Sequence, residues 1–73
     1  MTDTITLSPR ELQVITRIAM GKTEDQISIE LGISPRTVRR YKSEIRRKCE
    51  TFSMVQAVYV VTIAGLIDEN VLK

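Results

Sequence analysis

Residues 34–50, SPRTVRRYKSEIRRKCE, carry the pattern on which the reading of the whole chain turns. Ser34 is a good N-cap, and Pro35 suits the first helical position, where a missing N–H leaves no intrahelical bond unmade. Followed at the helical period, Val38, Tyr41, Ile45 and Cys49 fall on one side, while Arg36, Arg39, Arg40, Ser43, Arg46 and Arg47 spread over the other. One side packs and the other is cationic. Seven basic side chains (Arg36, Arg39, Arg40, Lys42, Arg46, Arg47 and Lys48) stand against Glu44 and Glu50, a net of +5 in a chain whose total is +2, so the remainder carries −3. Many solvent-facing helices carry Arg and Lys with no partner, but they usually mix both signs at supporting spacings. Here arginines neighbour arginines and repel, which asks for a polyanion or for simple screening. Nucleic acid is the polyanion that suits such a stripe.

The 73 residues suffice for one domain with a compact core, since a chain of this size buries only about 60% of its unfolded surface. Apolar residues make up 42% and charged residues 27%, a globular composition rather than a disordered or fibrous one. No apolar run approaches the roughly 20 residues that span a bilayer, and residues 1–10 lack the basic start and apolar stretch of a signal peptide. The expectation is a cytoplasmic protein with no membrane partner. Cys49 is the one cysteine and histidine is absent, which excludes an internal disulfide and leaves little for a metal site; Cys49 is expected in the core. Gly21, Gly32 and Gly65 are isolated rather than gathered into a phosphate loop, and the acids show no local pattern. Neither catalytic residues, nor a metal, nor a cofactor is expected.

Residues 1–6 are expected to form a flexible segment, residues 7–67 the domain and residues 68–73 a tail, with Ile5 and Leu7 as possible anchors. Ser8 opens SPRE, which combines an N-cap, a proline at the first helical position and a capping-box glutamate. A first helix follows to about residue 20, with Leu12, Ile15, Ile18 and Ala19 on its apolar stripe, Val14 and Met20 widening it, and Gly21 as its stop. Thr23 opens a second capping box, TEDQ, for a helix over about 24–31 whose start gains from Glu24 and Asp25 through the helix dipole. Ile27 and Leu31 form its apolar face. After the Gly32–Ile33 turn comes the basic helix, about 35–49. Helix, tight glycine-containing turn, helix is the helix-turn-helix arrangement, whose second helix enters the major groove of DNA. Phe52 is expected to plug the core, and SMVQ at 53–56 to be a third capping box, opening a helix over about 54–64 that stops at Gly65 in a Schellman motif. That last helix is apolar nearly all round. Met54, Ala57, Val58 and Val61 face inward, which leaves Val55, Tyr59, Val60 and Ile63 for a partner subunit.

Several stretches together resemble the LuxR-type (FixJ- or GerE-type) helix-turn-helix domain: LSPRELQVI at 7–15, GKTEDQISIELGISPRTV at 21–38, Ile45 with Lys48, Ala57–Val58, and GLI at 65–67. The resemblance implies an all-α, four-helix fold, a helix-turn-helix made by the second and third helices, sequence-specific promoter binding, and dimerisation through the fourth. The family usually stands behind a receiver or ligand-binding domain, and none precedes residue 7 here, so a stand-alone small regulator is expected. Tyr41, Cys49 and Met54 depart from the family pattern at positions usually held by histidine, leucine and arginine. Glu24, Asp25 and Glu44 place acids where the family often has polar or basic residues, which weakens binding to a phosphate backbone.

With the third helix in the groove, Arg36, Arg39, Arg40 and Ser43 are the expected base-reading residues, Arg39 and Arg40 foremost because arginine donates two bonds to guanine, while Arg36 suits either role. Lys22, Thr23, Thr37, Lys42, Arg46, Arg47 and Lys48 are the expected phosphate contacts. For Lys22, Arg47 and Lys48 a plain solvated role weighs equally. The expected function is a transcriptional regulator binding double-stranded DNA as a homodimer. An alternative is a protein-binding antagonist that pairs through the fourth helix with another LuxR-type regulator or engages RNA polymerase. A sigma region 4-like module shares the LSPRE start but leaves the ending of the fourth helix unexplained.

Overall fold

The structure, a computed structural model, describes residues 5–67 and places among them four α-helices and no strand. They are α1 (Pro9–Ala19), α2 (Glu24–Leu31), α3 (Pro35–Lys48) and α4 (Met54–Ile63). The first four residues of the expected N-terminal segment and the expected tail at 68–73 lie outside the described residues. Each expected helix is present, and α1, α3 and α4 each stop one residue earlier than their periodicity suggests, because Met20, Cys49 and Ala64 serve as C-caps.

All four helices start alike. The side chains of Ser8, Thr23, Ser34 and Ser53 accept from the amides of Glu11, Gln26, Thr37 and Gln56, each satisfying one of the orphan donors of a first turn. The reciprocal bond completes a capping box at Ser8–Glu11 and Thr23–Gln26. At Ser53 the expected box is only half made, since the Ser53 amide donates to Thr51 Oγ1 at 3.2 Å in place of the Gln56 side chain.

The helices also end alike, in a Schellman stop. A residue in the left-handed region sends its amide three residues back, and the next residue sends its amide five back. The pairs are Gly21 to Ile18 with Lys22 to Arg17, Gly32 to Ile29 with Ile33 to Ser28, Glu50 to Arg47 with Thr51 to Arg46, and Gly65 to Thr62 with Leu66 to Val61. Three of these stops use glycine. The fourth uses Glu50, at φ 57°, a conformation in which a side chain is strained.

The core gathers Val14, Ile15, Ile27, Val38, Ile45, Cys49, Ala57, Val61 and Ile67. Ile5, Leu7, Leu12, Leu31, Tyr41, Met54, Val58 and Val60 pack half-buried around it. Val14, expected only to widen the stripe of α1, is therefore central, while Leu12 sits at the margin. Phe52 departs furthest from expectation. Its side chain stands fully in solvent just before the N-cap of α4 and plugs nothing, because the stop at Glu50 has already turned the chain away from the core.

Ile45→Ala should lower stability by about 2–5 kcal/mol through the cavity it leaves, whereas Phe52→Ser should stay within about 0.5 kcal/mol of the wild type. Glu50→Gly should raise stability by about 1 kcal/mol by relieving the left-handed residue. Thermal melts followed by circular dichroism measure all three.

Candidate nucleic-acid interface

Because Val38 and Ile45 have no exposed surface and Cys49 is buried beside them, the opposite side of α3 is turned to solvent. Arg36, Arg39, Arg40 and Ser43 are exposed there and together with Thr37 line one open depression of about 420 Å³. The four residues expected to read bases are thus brought onto one surface, with Arg36, Arg39 and Arg40 in the N-terminal half of the second helix of the pair and Ser43 just past its middle. The Arg40 guanidinium carbon lies 5.8 Å from the Tyr41 ring centroid, at the outer edge of cation–π range.

The flanks of α3 carry a different chemistry. Glu24, the first residue of α2, accepts from Lys42 Nζ at 2.9 Å and from Arg39 Nη1 at 3.2 Å, one carboxylate oxygen each. The Lys42 hydrogen bond, helped by Arg39, holds the Glu24 carboxyl below its ordinary value despite some desolvation. On the other flank, Glu11 Oε1 accepts from Lys48 Nζ at 2.7 Å and also closes the capping box of α1. Only 5% of Glu11 is exposed; burial works to raise its carboxyl, and the Lys48 ammonium and the Ser8 amide and hydroxyl outweigh it, so the net shift is downward. Glu44 pairs with Arg47 at 2.6 Å and raises its guanidinium pKa. Glu30 binds both Lys22 and Arg17, whose cations lower its carboxyl.

Of the expected phosphate contacts, Lys22, Lys42, Arg47 and Lys48 therefore each hold an internal carboxylate. Lys48 is the most committed of them, since its partner is buried. Thr23 Oγ1 caps α2, and the Thr37 hydroxyl meets Ser34 Oγ at 2.9 Å. Arg46 donates to Ser43 Oγ at 3.2 Å. Among the described residues Arg36, Arg40 and Arg46 are the α3 cations that make no ion pair. The sequence marks Glu11 as a helix-start residue and Glu24 as a helix-start residue and an acid unfavourable to a phosphate backbone, but gives neither an α3 partner. Their α3 partners lie 18 and 37 residues away, beyond any local pattern.

The strip expected to meet a partner is open along α4: Val55, Tyr59 and Ile63 are 82, 62 and 69% exposed. Val60 differs, being half-buried against the core and so at the margin of that strip.

A helix-turn-helix whose second helix turns a clear cationic face outward meets its counterpart in sequence comparison, where residues 5–61 match the bacterial regulatory proteins of the luxR family. The chain belongs to the LuxR family. The transcriptional regulatory protein FixJ of Azorhizobium caulinodans is 37% identical to it over 60 residues, covering 82% of this chain and 28% of FixJ. FixJ of Bradyrhizobium diazoefficiens is 33% identical over 63 residues, covering 86 and 31%. The response regulator UvrY of Escherichia coli K12 is 31% identical over 67 residues, covering 92 and 31%. This LuxR-family chain thus spans less than a third of the length of these curated relatives. The family is one of DNA-binding, helix-turn-helix transcription regulators, in keeping with the resemblance carried by the sequence motifs. No helix among the described residues is long and apolar enough to cross a membrane.

The buried Glu11–Lys48 pair gives stability a definite pH dependence. With the folded carboxyl held below its ordinary value of 4.5, the unfolded chain binds more protons in the window beneath that value, so stability rises with pH there. The contribution is complete above about pH 5 and is lost as the pH falls through the folded value. Glu11→Gln should lower the melting midpoint at neutral pH, by leaving Lys48 half-buried and unpaired, and should flatten the acid limb of midpoint against pH. An acid limb as steep as in the wild type would show that Glu24 and Glu30 account for it.

Proposed function

We propose that this chain binds promoter DNA as a homodimer, with α3 in the major groove and α4 at the two-fold axis. The observation that carries the proposal is the outer face of α3, where Arg36, Arg39, Arg40 and Ser43 share one exposed surface. Arg39 and Arg40 are the foremost base readers, as arginine can donate two bonds to guanine O6 and N7, a contact that discriminates by about 1–3 kcal/mol. Arg46, with no internal carboxylate among the described residues, is the leading phosphate contact, and Thr23 and Thr37 offer hydroxyls beside it. Lys22, Lys42, Arg47 and Lys48 contribute less, because each must first leave an internal carboxylate.

The homodimer rests on the exposed strip of Val55, Tyr59 and Ile63, which repeats every four residues along one face of α4 without a charge. Two copies can pack such strips about a two-fold axis with self-complementary contacts. A symmetric pair of helix-turn-helix domains places its recognition helices in successive major grooves about 34 Å apart, so the operator is an imperfect palindrome with half-site centres about 10 base pairs apart. The alternative of an antagonist that pairs with a LuxR-type regulator or RNA polymerase uses the same α4 strip but leaves the outer face of α3 without a role.

Electrophoretic titration at varied salt tests the DNA reading. With Arg46 and Arg36 as the cations free to meet the backbone, about two neutralised phosphates per subunit at about 0.9 each give a dimer a log–log slope of about −4, and a slope near zero would defeat the proposal. Arg40→Ala should lose more affinity on a selected site than on random duplex, whereas Arg46→Ala should weaken both equally. Val55→Glu should leave the melt intact while abolishing dimers in sedimentation and cooperative footprints on paired half-sites; a variant that remains dimeric would place the interface elsewhere.

A further inference from the structure

The Glu24 carboxylate holds two cations of α3 at once, and the two are not equivalent. Lys42 is the inner partner, with its side chain 23% exposed, and Arg39 the outer one, at 59%. Glu24 stands in the first turn of α2, where the Thr23–Gln26 capping box fixes the backbone, so the carboxylate is anchored at both its root and its inner oxygen. Its outer oxygen takes a single bond, from Arg39 Nη1. A guanidinium has five N–H donors in a rigid plane, so this bond leaves Nε and Nη2 free and restricts the direction in which they point.

We propose that Glu24 is a positioning residue for base recognition, orienting the Arg39 guanidinium so that its free edge is presented to a guanine in the major groove. This rests on the DNA-binding role proposed above and extends it to a residue outside α3. An unrestrained arginine on a helix surface must lose its rotamer freedom when it meets a base, whereas one already held by an acid has less to lose. The same carboxylate faces the phosphate backbone and repels it, and it keeps Lys42 from reaching a phosphate. Glu24 thereby trades overall affinity for discrimination. Asp25 provides the natural control: it carries the same charge one residue further along α2, is exposed, and makes no ion pair among the described residues.

The test compares the wild-type chain with Glu24→Ala, Asp25→Ala, Arg39→Ala and the Glu24→Ala/Arg39→Ala double variant. Binding is measured, across a range of salt, to a duplex selected from a random pool by the wild-type protein and to the unselected pool. Glu24→Ala should bind the pool about 3- to 10-fold more tightly, with a salt slope steeper by about 0.9 per subunit as Lys42 engages a phosphate. Its preference for the selected duplex should fall by about 5- to 50-fold, within what one bidentate arginine contact supplies. Asp25→Ala should tighten pool binding while keeping the preference, and in the Arg39→Ala background the loss of Glu24 should change the preference no further. Melts accompany each variant, and Glu24→Gln, which keeps the side-chain volume, is read where the alanine variant fails to fold. A Glu24 variant that retains or gains preference overturns the assignment, as does a loss matched by Asp25→Ala. Should the wild type show no salt-dependent binding to either DNA, the DNA-binding role itself falls, an outcome distinct from unchanged preference in a chain that binds.

Discussion

Burying Val38 and Ile45 is the constraint on which the arrangement of this domain depends. Neither residue has exposed surface, and seven residues apart they mark two turns along one line of α3. Rotating the helix enough to expose either one would forfeit about 1.5–3 kcal/mol of burial per side chain, more than any of the surface ion pairs returns. The angular position of every other α3 side chain follows from that. Arg36, Arg40 and Ser43 point outward because they stand opposite the buried line, Lys42 and Lys48 fall on the two flanks because they stand beside it, and Arg39 lies between the outer face and the Lys42 flank. Glu24 and Glu11 then meet cations that apolar packing has already placed.

The carboxylates sort the charge of α3 rather than cancel it evenly. Solvent-screened surface pairs such as Arg47–Glu44 contribute little stability, and Glu30 bridging Lys22 and Arg17 does no more than lace α1 to α2. Glu11 is different in kind. It is buried and holds the capping box of α1 and the ammonium of Lys48 with one carboxylate, so removing it strands two partners at once. The net charge of +5 over residues 34–50 therefore overstates what a ligand meets along the flanks and understates how strongly positive the outer face is, where Arg36 and Arg40 stand without an acid among the described residues.

How legible each feature was in the sequence follows from its range. Caps and stops are local, spanning four to six residues, so Ser8, Thr23, Ser34 and Ser53 located all four helix starts and the glycine stops the ends of α1, α2 and α4 to within a residue, while the end of α3 followed from its apolar period. The face of α3 was legible because its period is unambiguous, with apolar residues on one side and arginines on the other. Phe52 was not, since large apolar residues are usually buried and nothing nearby shows that the chain has already turned away from the core at Glu50. A non-glycine residue in the left-handed region leaves no compositional signal. The candidate site was half legible for the same reason: the outward arginines follow from periodicity, whereas Glu11 and Glu24 acquire their α3 partners only through tertiary packing. Val14 shows a milder form, because an apolar stripe tells which side of α1 packs but not which of its members lies deepest.

The connection between α3 and α4 joins the two surfaces on which the proposed function rests. Thr51 returns its amide to Arg46, Ser53 donates to Thr51, and Glu50 between them holds φ at 57°. Each of these bonds restricts the chain over residues 49–53, so α4 leaves α3 at an angle set by backbone hydrogen bonds as well as by the packing of Ala57 and Val61 into the core. In the proposed dimer this angle determines how far apart two copies of α3 stand once their α4 strips meet, and hence the half-site spacing. A glycine at position 50 would adopt the same φ without strain but would widen the conformations open to the unfolded chain. A substitution at Glu50 therefore acts on local stability and not on the geometry of DNA docking: it can relieve strain while leaving the direction of α4 unchanged, because the Thr51–Arg46 bond and the buried face of α4 both remain.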